Sequence, residues 1–224
     1  MLSIIIPTFN SGSNLSETLS PITSFRGKID LVISDGGSID NTPEVAASYN
    51  TRLINSPKGR GIQLQCGANA ARGDWFLFLH DDTKLSLGWD IVAKRFIQNP
   101  NNLFKAGYFI FSLKDRSLEA KRLEKIVNWR CKLLSLPYGD QGLLISRRFY
   151  YLLGGYSKIP LMEDVEFISK IRTSRLKQLS ALSITSSKRY KKNGYFNRCF
   201  KNLICLSLYF LGVPPEHLIK LYNS

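Results

Sequence analysis

The sequence predicts an α/β fold: a mainly parallel central sheet flanked by helices, with a basic helical segment at the C-terminal end. Two observations predict it. Short apolar runs recur through the first third at Ser3–Ile6, Leu31–Ser34, Arg52–Asn55 and Trp75–Leu79, three of them continuous enough for strands covered on both faces. Segments with helix signals and polar, Gly-containing turns separate these runs, and a strand–helix alternation of this kind implies a parallel core.

Ser3–Ile6 opens the chain as a buried strand, and the Met-Leu-Ser-Ile-Ile-Ile-Pro start has no basic region of the kind that leads a secretory signal. Asn14–Leu19 reads as the first helix. Thr42 is expected as an N-cap, with Pro43 in the first turn and Glu44 near the positive end of the helix dipole. Gln63–Ala71 gives a third helix before the Trp75–Leu79 strand. The second half is less regular. Leu118–Leu136 is expected as a basic helix, Gly142–Ser146 and Leu179–Thr185 as strands, Glu163–Arg172 as a helix opening with acids, and residues 105–140 as containing pocket-building loops. Tyr195–Leu211 reads as a last helix, stopped by Gly212 and Pro214-Pro215. The expected division is a catalytic-type domain over 1–185 and a basic helical segment over 186–224 packed on it.

At 224 residues and 44% hydrophobic content the chain can bury one sizeable core. Cys66, Cys131, Cys199 and Cys205 match no zinc spacing and no C-x-x-C motif, which suits reduced thiols in the cytoplasm. The longest apolar stretch, Leu203–Val213, is too short to span a bilayer. Residues 1–112 carry 10 Lys+Arg against 9 Asp+Glu, and residues 113–224 carry 21 against 8, so nearly all of the +14 net charge sits in the second half. Such a field attracts phospholipid headgroups, nucleic acid or a phosphorylated substrate.

Candidate chemistry lies where strands end, as ligand sites in open α/β sheets do. After the first strand come Pro7-Thr8-Phe9-Asn10. After the second comes Ser34-Asp35-Gly36-Gly37-Ser38-Ile39-Asp40-Asn41-Thr42, a carboxylate and two glycines before a helix start. That arrangement can hold a nucleotide, the acid accepting hydrogen bonds and the glycines admitting close backbone approach; an ordinary βα turn uses the same residue types. After the fourth strand comes His80-Asp81-Asp82-Thr83. Adjacent carboxylates repel unless a cation or ligand hydroxyls compensate them, and hard oxygens suit Mg²⁺ or Mn²⁺; a solvated acidic turn is the alternative. His80 is either a metal ligand or a structural histidine. Arg60, in Pro57-Lys58-Gly59-Arg60-Gly61, can donate to a diphosphate or stand as a solvated loop charge. Glu163-Asp164 supplies a carboxylate base or an acidic helix start.

These segments resemble the inverting family 2 glycosyltransferases of the GT-A fold. The resemblance rests on Ile4–Asn10, Asp35–Thr42 and His80–Thr83, and further on Gly139-Asp140-Gln141-Gly142, Gly154-Gly155-Tyr156 and Met162–Phe167, in order over about residues 3–170. Ser187-Lys188-Arg189-Tyr190 and Leu211–Glu216 match one compact bacterial branch of that family. The resemblance implies transfer of a sugar, of hexosyltransferase type, from a nucleotide-sugar donor with a divalent metal, Mg²⁺ or Mn²⁺. It implies donor contacts from Pro7, Thr8, Asn10, Asp35, Gly37, Ser38, Arg60 and Asp81, and metal binding by Asp82 with His80 beside it. It also implies Asp164 as catalytic base with Glu163 alongside, and Asp140 and Gln141 on the acceptor side. His80 stands where an aspartate is common, and Ser11 replaces the usual glutamate after Asn10.

A nucleotidyltransferase can share the scaffold, but such enzymes carry a Gly-rich cationic loop after the first strand, and Phe9-Asn10-Ser11-Gly12-Ser13 has no cation. A nucleic-acid binder would explain the charge, yet no RNA-binding or zinc-finger signature is present and paired acids sit badly beside a polyanion. Lys188-Arg189-Tyr190-Lys191-Lys192 precedes a helix with Arg198, Lys201 and a strongly apolar end, which suits a bilayer interface and a lipid-linked or membrane-proximal acceptor at the inner face of the plasma membrane; a core helix or a dimer contact is the alternative.

Overall fold

The computed structural model describes residues 1–223 except Ser24 and Arg26; Ser224, the last residue of the expected C-terminal segment, lies outside the described residues. The chain runs β1 (Leu2–Thr8), α1 (Gly12–Leu19), β2 (Ile29–Asp35), α2 (Thr42–Ser48), β3 (Arg52–Asn55), α3 (Arg60–Ala70), β4 (Trp75–Phe78), β5 (Thr83–Leu85) and α4 (Trp89–Gln98). It continues with β6 (Ala106–Leu113), α5 (Leu118–Leu134), β7 (Leu143–Ser146), α6 (Arg147–Leu152), α7 (Glu163–Ser169), β8 (Leu176–Thr185), α8 (Lys188–Asn193), α9 (Tyr195–Phe210) and α10 (Pro215–Asn223).

Eight strands form one sheet in the order β3-β2-β1-β4-β7-β6-β8-β5. The first four pair in parallel, with Ile4 opposite Leu31 on one side and Leu77 on the other. Beyond β4 the sheet is mixed: β7 is antiparallel to both β4 and β6, β8 is parallel to β6, and β5 is antiparallel to β8. Four of the seven pairings are parallel, so the expectation of a mainly parallel sheet holds, with β7 and β5 as the antiparallel strands that make it mixed. A continuous apolar run reports that both faces are covered and says nothing about strand direction.

The period of two along each strand divides the core. Ile4, Ile6, Ile33, Leu77 and Leu79 pack on one face against α1 and α4 through Leu15, Leu19, Trp89 and Phe96. Ile5, Val32, Phe76, Phe78 and Ile145 point to the other face and meet Leu64 and Ala68 of α3, Phe149 and Tyr150 of α6, and Phe167 of α7. A third cluster joins β6 to α5 through Tyr108, Phe111, Leu113, Leu123 and Val127.

Three local expectations are corrected. Asn41, not Thr42, is the N-cap residue of α2, which puts Thr42 and Pro43 in the first turn, where a proline's missing N–H is not needed. Residues 106–113, expected within loops, form a central buried strand, because Ala-Gly-Tyr-Phe-Ile-Phe is paired on both edges by β7 and β8. Lys188–Asn193 is a short helix, and Pro215 begins α10.

Candidate active site

Parallel pairing in register brings the ends of β2, β1 and β4 together, and with them Asp35, Thr8 and the His80-Asp81-Asp82 segment. A cavity of about 320 Å³ opens there, at the small end of the roughly 300–1,000 Å³ typical of ligand pockets. Pro7, Thr8, Arg60, His80, Asp81 and Asp82 line one side, and Asp140, Glu163 and Asp164 line it from the second half of the chain. Eight donor, metal and catalytic candidates from the sequence, His80 among them, thus share a cavity with Asp140.

Asp35 is placed differently. It is 4% exposed and does not line the cavity. Its carboxylate accepts from Thr8 Oγ1 at 2.8 Å, Ser38 Oγ at 2.6 Å, Ser38 N at 2.7 Å and Gly37 N at 3.0 Å. Burial pushes the Asp35 carboxyl up, but the hydrogen bonds from Ser38, Thr8 and Gly37 outweigh it and hold the group below the usual carboxylate range. Gly37 adopts φ +86°, a left-handed conformation that turns its N–H back to the acid. Asn10 ties in from β1's side: its N–H donates to Ser38 Oγ at 2.8 Å and its Oδ1 accepts from Ile39 N at 3.0 Å. Asp35, Asn10, Gly37 and Ser38 therefore form a braced loop bordering the cavity through Thr8.

Asp81 is held by Ser11, whose hydroxyl donates to its carboxylate, and by Thr18, whose Oγ1 donates to its carbonyl at 2.8 Å. The Ser11 replacement thus has a local role. Burial and then the Asp82 charge push the Asp81 carboxyl up, opposed by the Ser11 hydrogen bond and by Arg189 and Arg60. Arg60 opens α3, and its Nε lies 3.0 Å from Glu163 Oε1. That oxygen has no aligned hydrogen bond, so the contact is one of charge. Glu163, 1% exposed, has its carboxyl raised by burial, with Arg60 opposing and Asp164 adding to the rise. His80 Nε2 is 3.5 Å from Arg60 Nη1. Burial first, then the Arg60 and Arg189 charges, drive its pKa well below the usual value, which leaves a neutral imidazole.

Asp164 is oriented by two backbone donors, Gly139 N to Oδ2 and Val165 N to Oδ1, both at 2.8 Å. A Cβ on Gly139 would sit 2.4 Å from His80 Nε2, so any larger residue here would have to displace the imidazole. Asp140 lines the cavity, and its Oδ1 is buried without a hydrogen-bond partner among the described residues. Burial raises its carboxyl to about 7, with Arg130 opposing and Asp164 and Asp82 assisting. Gln141 is corrected. It is fully buried, accepts from Cys131 Sγ at 3.0 Å and from Tyr138 N at 3.3 Å, and donates to the Phe109 carbonyl at 3.1 Å. The turn that exposes Asp140 directs the next side chain into the core, and Gln141 holds that turn in place.

Among the described residues no three His, Cys, Asp or Glu side chains are grouped to hold a metal ion. The available donors suit a shared ion. Asp82 lines the cavity as a hard oxygen, and Mg²⁺ commonly takes one or two carboxylates plus substrate phosphates. His80 fits this set poorly, because its Nε2 faces a guanidinium.

The C-terminal helices supply a wall that the sequence did not reveal. Arg189 and Tyr190 of α8, Arg198 and Asn202 of α9, and Tyr222 of α10 line the same cavity, and Arg198 Nη2 donates to Tyr222 Oη at 2.5 Å. The only signal was the Ser187-Lys188-Arg189-Tyr190 run, which carries no indication that α8 lies beside Asp81.

Comparison with known proteins gives this arrangement a class. The model of glycosyl transferase family 2 matches residues 3–151. An uncharacterized glycosyltransferase of Rickettsia prowazekii is 29% identical over 127 residues, 53% of this chain and 39% of the relative. A PGL/p-HBAD biosynthesis glycosyltransferase of Mycobacterium bovis is 36% identical over 93 residues, 38% of this chain and 36% of the relative. The matches span about two fifths of the length of these curated relatives. Among solved structures, S. aureus TarS with UDP superposes with a TM-score of 0.64 at 16% identity, covering 99% of this chain and 69% of that one. Glucosyl-3-phosphoglycerate synthase of Mycobacterium tuberculosis with Mn²⁺ and UDP superposes at 0.56 and 16% identity, covering 83% and 70%. The fold is that of the GT-A glycosyltransferases. The chain belongs to glycosyl transferase family 2.

Proposed function

We propose that the chain transfers a sugar from a nucleoside-diphosphate sugar to an acceptor hydroxyl, with inversion at the anomeric carbon and a divalent ion at the diphosphate. The observation that carries this reading is the convergence of Asp81, Asp82, Arg60 and Asp164 on one cavity at the carboxyl ends of β1 and β4. The braced loop of Asn10, Asp35, Gly37 and Ser38, with Pro7 and Thr8, forms the seat for base and ribose. Asp81 reaches the ribose or diphosphate, and Asp82 is the protein's metal ligand. When bound, the ion supplies Lewis-acid neutralisation of the departing nucleoside diphosphate.

Asp164 takes the proton of the acceptor hydroxyl as that oxygen bonds to the anomeric carbon and the bond to the diphosphate oxygen breaks. Glu163 stays beside it, charge-paired with Arg60, and Arg60 and Arg189 add positive charge on the diphosphate side. Asp140 faces the acceptor. A uridine nucleotide is the first donor to try, since several of the solved neighbours are complexes with UDP or UDP sugars. A lipid-linked or membrane-proximal acceptor suits the basic helices beside the cavity.

A thermal-shift screen of nucleoside diphosphates and their sugars with Mn²⁺ or Mg²⁺ tests the reading, because a ligand that binds only the native state raises its melting temperature. Release of nucleoside diphosphate in a turnover assay supports transfer. Release of pyrophosphate would assign nucleotidyl transfer instead, a reading no observation on the fold or site favours.

A further inference from the structure

Helices α5 and α9 pack side by side, Tyr195 and Cys199 of α9 meeting the Leu123–Val127 cluster of α5. The inner face of α9 buries Cys205 and Leu206 and sends Arg198 and Asn202 to the cavity. Its opposite face is apolar and open: Phe196 is 79% exposed, Phe200 55%, Leu203 59% and Phe210 57%. Their spacing places all four on one side of a helix of 3.6 residues per turn. The Phe196 and Phe200 rings lie nearly parallel with centroids 6.2 Å apart. On α5, Ile126, Trp129 and Leu133 are also exposed, with Arg122, Lys125 and Lys132 exposed among them. No Asp or Glu occurs between Glu166 and Glu216, a stretch that holds α8 and α9 whole.

We propose that this outer surface docks on an anionic phospholipid bilayer, with the α9 phenylalanines and Trp129 entering the headgroup boundary and the flanking cations meeting lipid phosphates. An apolar stripe bordered by cations is the arrangement of helices that lie in the interface plane, and tryptophan favours that depth. No helix among the described residues is long and apolar enough to cross a membrane. A second copy of the chain fits the surface less well, because a two-fold contact would press like-charged basic faces together. Because α9 walls the cavity with its other face, docking holds the cavity beside the lipid surface. This consequence, a lipid-linked acceptor, rests on the glycosyl-transfer reading; the docking itself does not.

The test is co-sedimentation of the full chain with vesicles of phosphatidylcholine alone and with phosphatidylglycerol added. The wild type should pellet with the anionic vesicles and not with the neutral ones, and high salt should release it. F196S/F200S and, separately, W129S should weaken that binding roughly tenfold or more, while L87S, which removes a residue 94% exposed elsewhere, leaves it unchanged. Equal binding by the variants and the wild type, equal pelleting with neutral vesicles, or no pelleting at all would overturn the proposal. So would light scattering that shows a dimer dissolved by F196S/F200S, which would assign the surface to self-association. A nucleoside-diphosphate thermal shift retained by F196S/F200S shows that the variant is folded. Lack of any such shift in the wild type would count against the transfer reading and leave the vesicle result standing.

Discussion

Arg60 Nε lies 3.0 Å from Glu163 Oε1, joining the first turn of α3 to the first turn of α7. The helix dipole disfavours a cation at the start of α3 and favours the acids at the start of α7, so Arg60 depends on the surrounding acids, Glu163 first and then Asp164 and Asp81, to compensate it. Glu163 is 1% exposed and its carboxyl is raised by burial, so loss of Arg60 leaves an acid that protonates rather than stay charged. R60A should cost about 2–3 kcal/mol, less than the roughly 3–5 kcal/mol of a fully buried broken pair, because the Arg60 side chain is 36% exposed. E163Q, which keeps shape and removes the charge, should cost about 1 kcal/mol. Urea denaturation measures both; an R60A variant as stable as the wild type would show that the pair does not hold α3 to α7.

Acid should destabilise the fold partly through Asp30, far from the cavity. Its carboxylate accepts from Ser3 Oγ at 2.7 Å, Arg52 Nε at 2.8 Å and Arg72 N at 2.8 Å. Burial pushes the carboxyl up, and the hydrogen bonds from Arg52, Arg72 and Ser3 outweigh it, leaving the folded-state pKa below the 3.8 of a free aspartate. The unfolded chain then binds more protons, so this stabilisation is complete above the unfolded pKa and is lost as pH falls through the folded one. D30N should be less stable than the wild type at neutral pH and lose stability less steeply below about pH 4. Parallel urea midpoints against pH for the two proteins would remove Asp30 as a cause.

Metal dependence should pass through Asp82. The described residues offer no three-ligand cage, so affinity for Mn²⁺ or Mg²⁺ alone should be weak and should rise when a nucleoside diphosphate supplies further oxygens. In calorimetry D82A should lose most of the metal-dependent part of nucleotide binding. H80A should retain it, because His80 Nε2 faces Arg60. Loss of metal coupling in H80A with retention in D82A would reverse the assignment.

The sequence was most informative where burial on both faces wrote continuous apolar runs. β1, β2 and β4, buried almost throughout, differ from expectation only at their ends; β3, alternately half-buried and exposed, is Arg52–Asn55 as expected from its place in the strand–helix alternation. Motifs at strand ends were legible for the same reason, since a parallel core brings the ends of adjacent strands together. β6 was missed because Ala106-Gly107-Tyr108 gives no turn punctuation and no alternation, and the direction of β7 leaves no trace in its composition. Asp140 and Gln141 are neighbours in the chain, yet one faces the cavity and the other the core, a distinction set by the turn after Tyr138. Arg189, Arg198 and Tyr222 were out of reach because the return of α8–α10 over the cavity depends on α9 packing against α5 and α10, a tertiary event without local signature.

The role of Asp164 is the centre of the account, and D164N tests it directly. The amide oxygen can still accept the Gly139 N–H while the contact from the adjacent Val165 N–H is given up, so the side chain keeps its longer-range anchor and loses its basicity. Donor affinity and turnover should be measured on the same preparation. The expected result is nucleoside-diphosphate affinity within about twofold of the wild type, with kcat lowered by roughly 10²–10⁴, the usual contribution of a general base. Wild-type turnover by D164N would contradict the account.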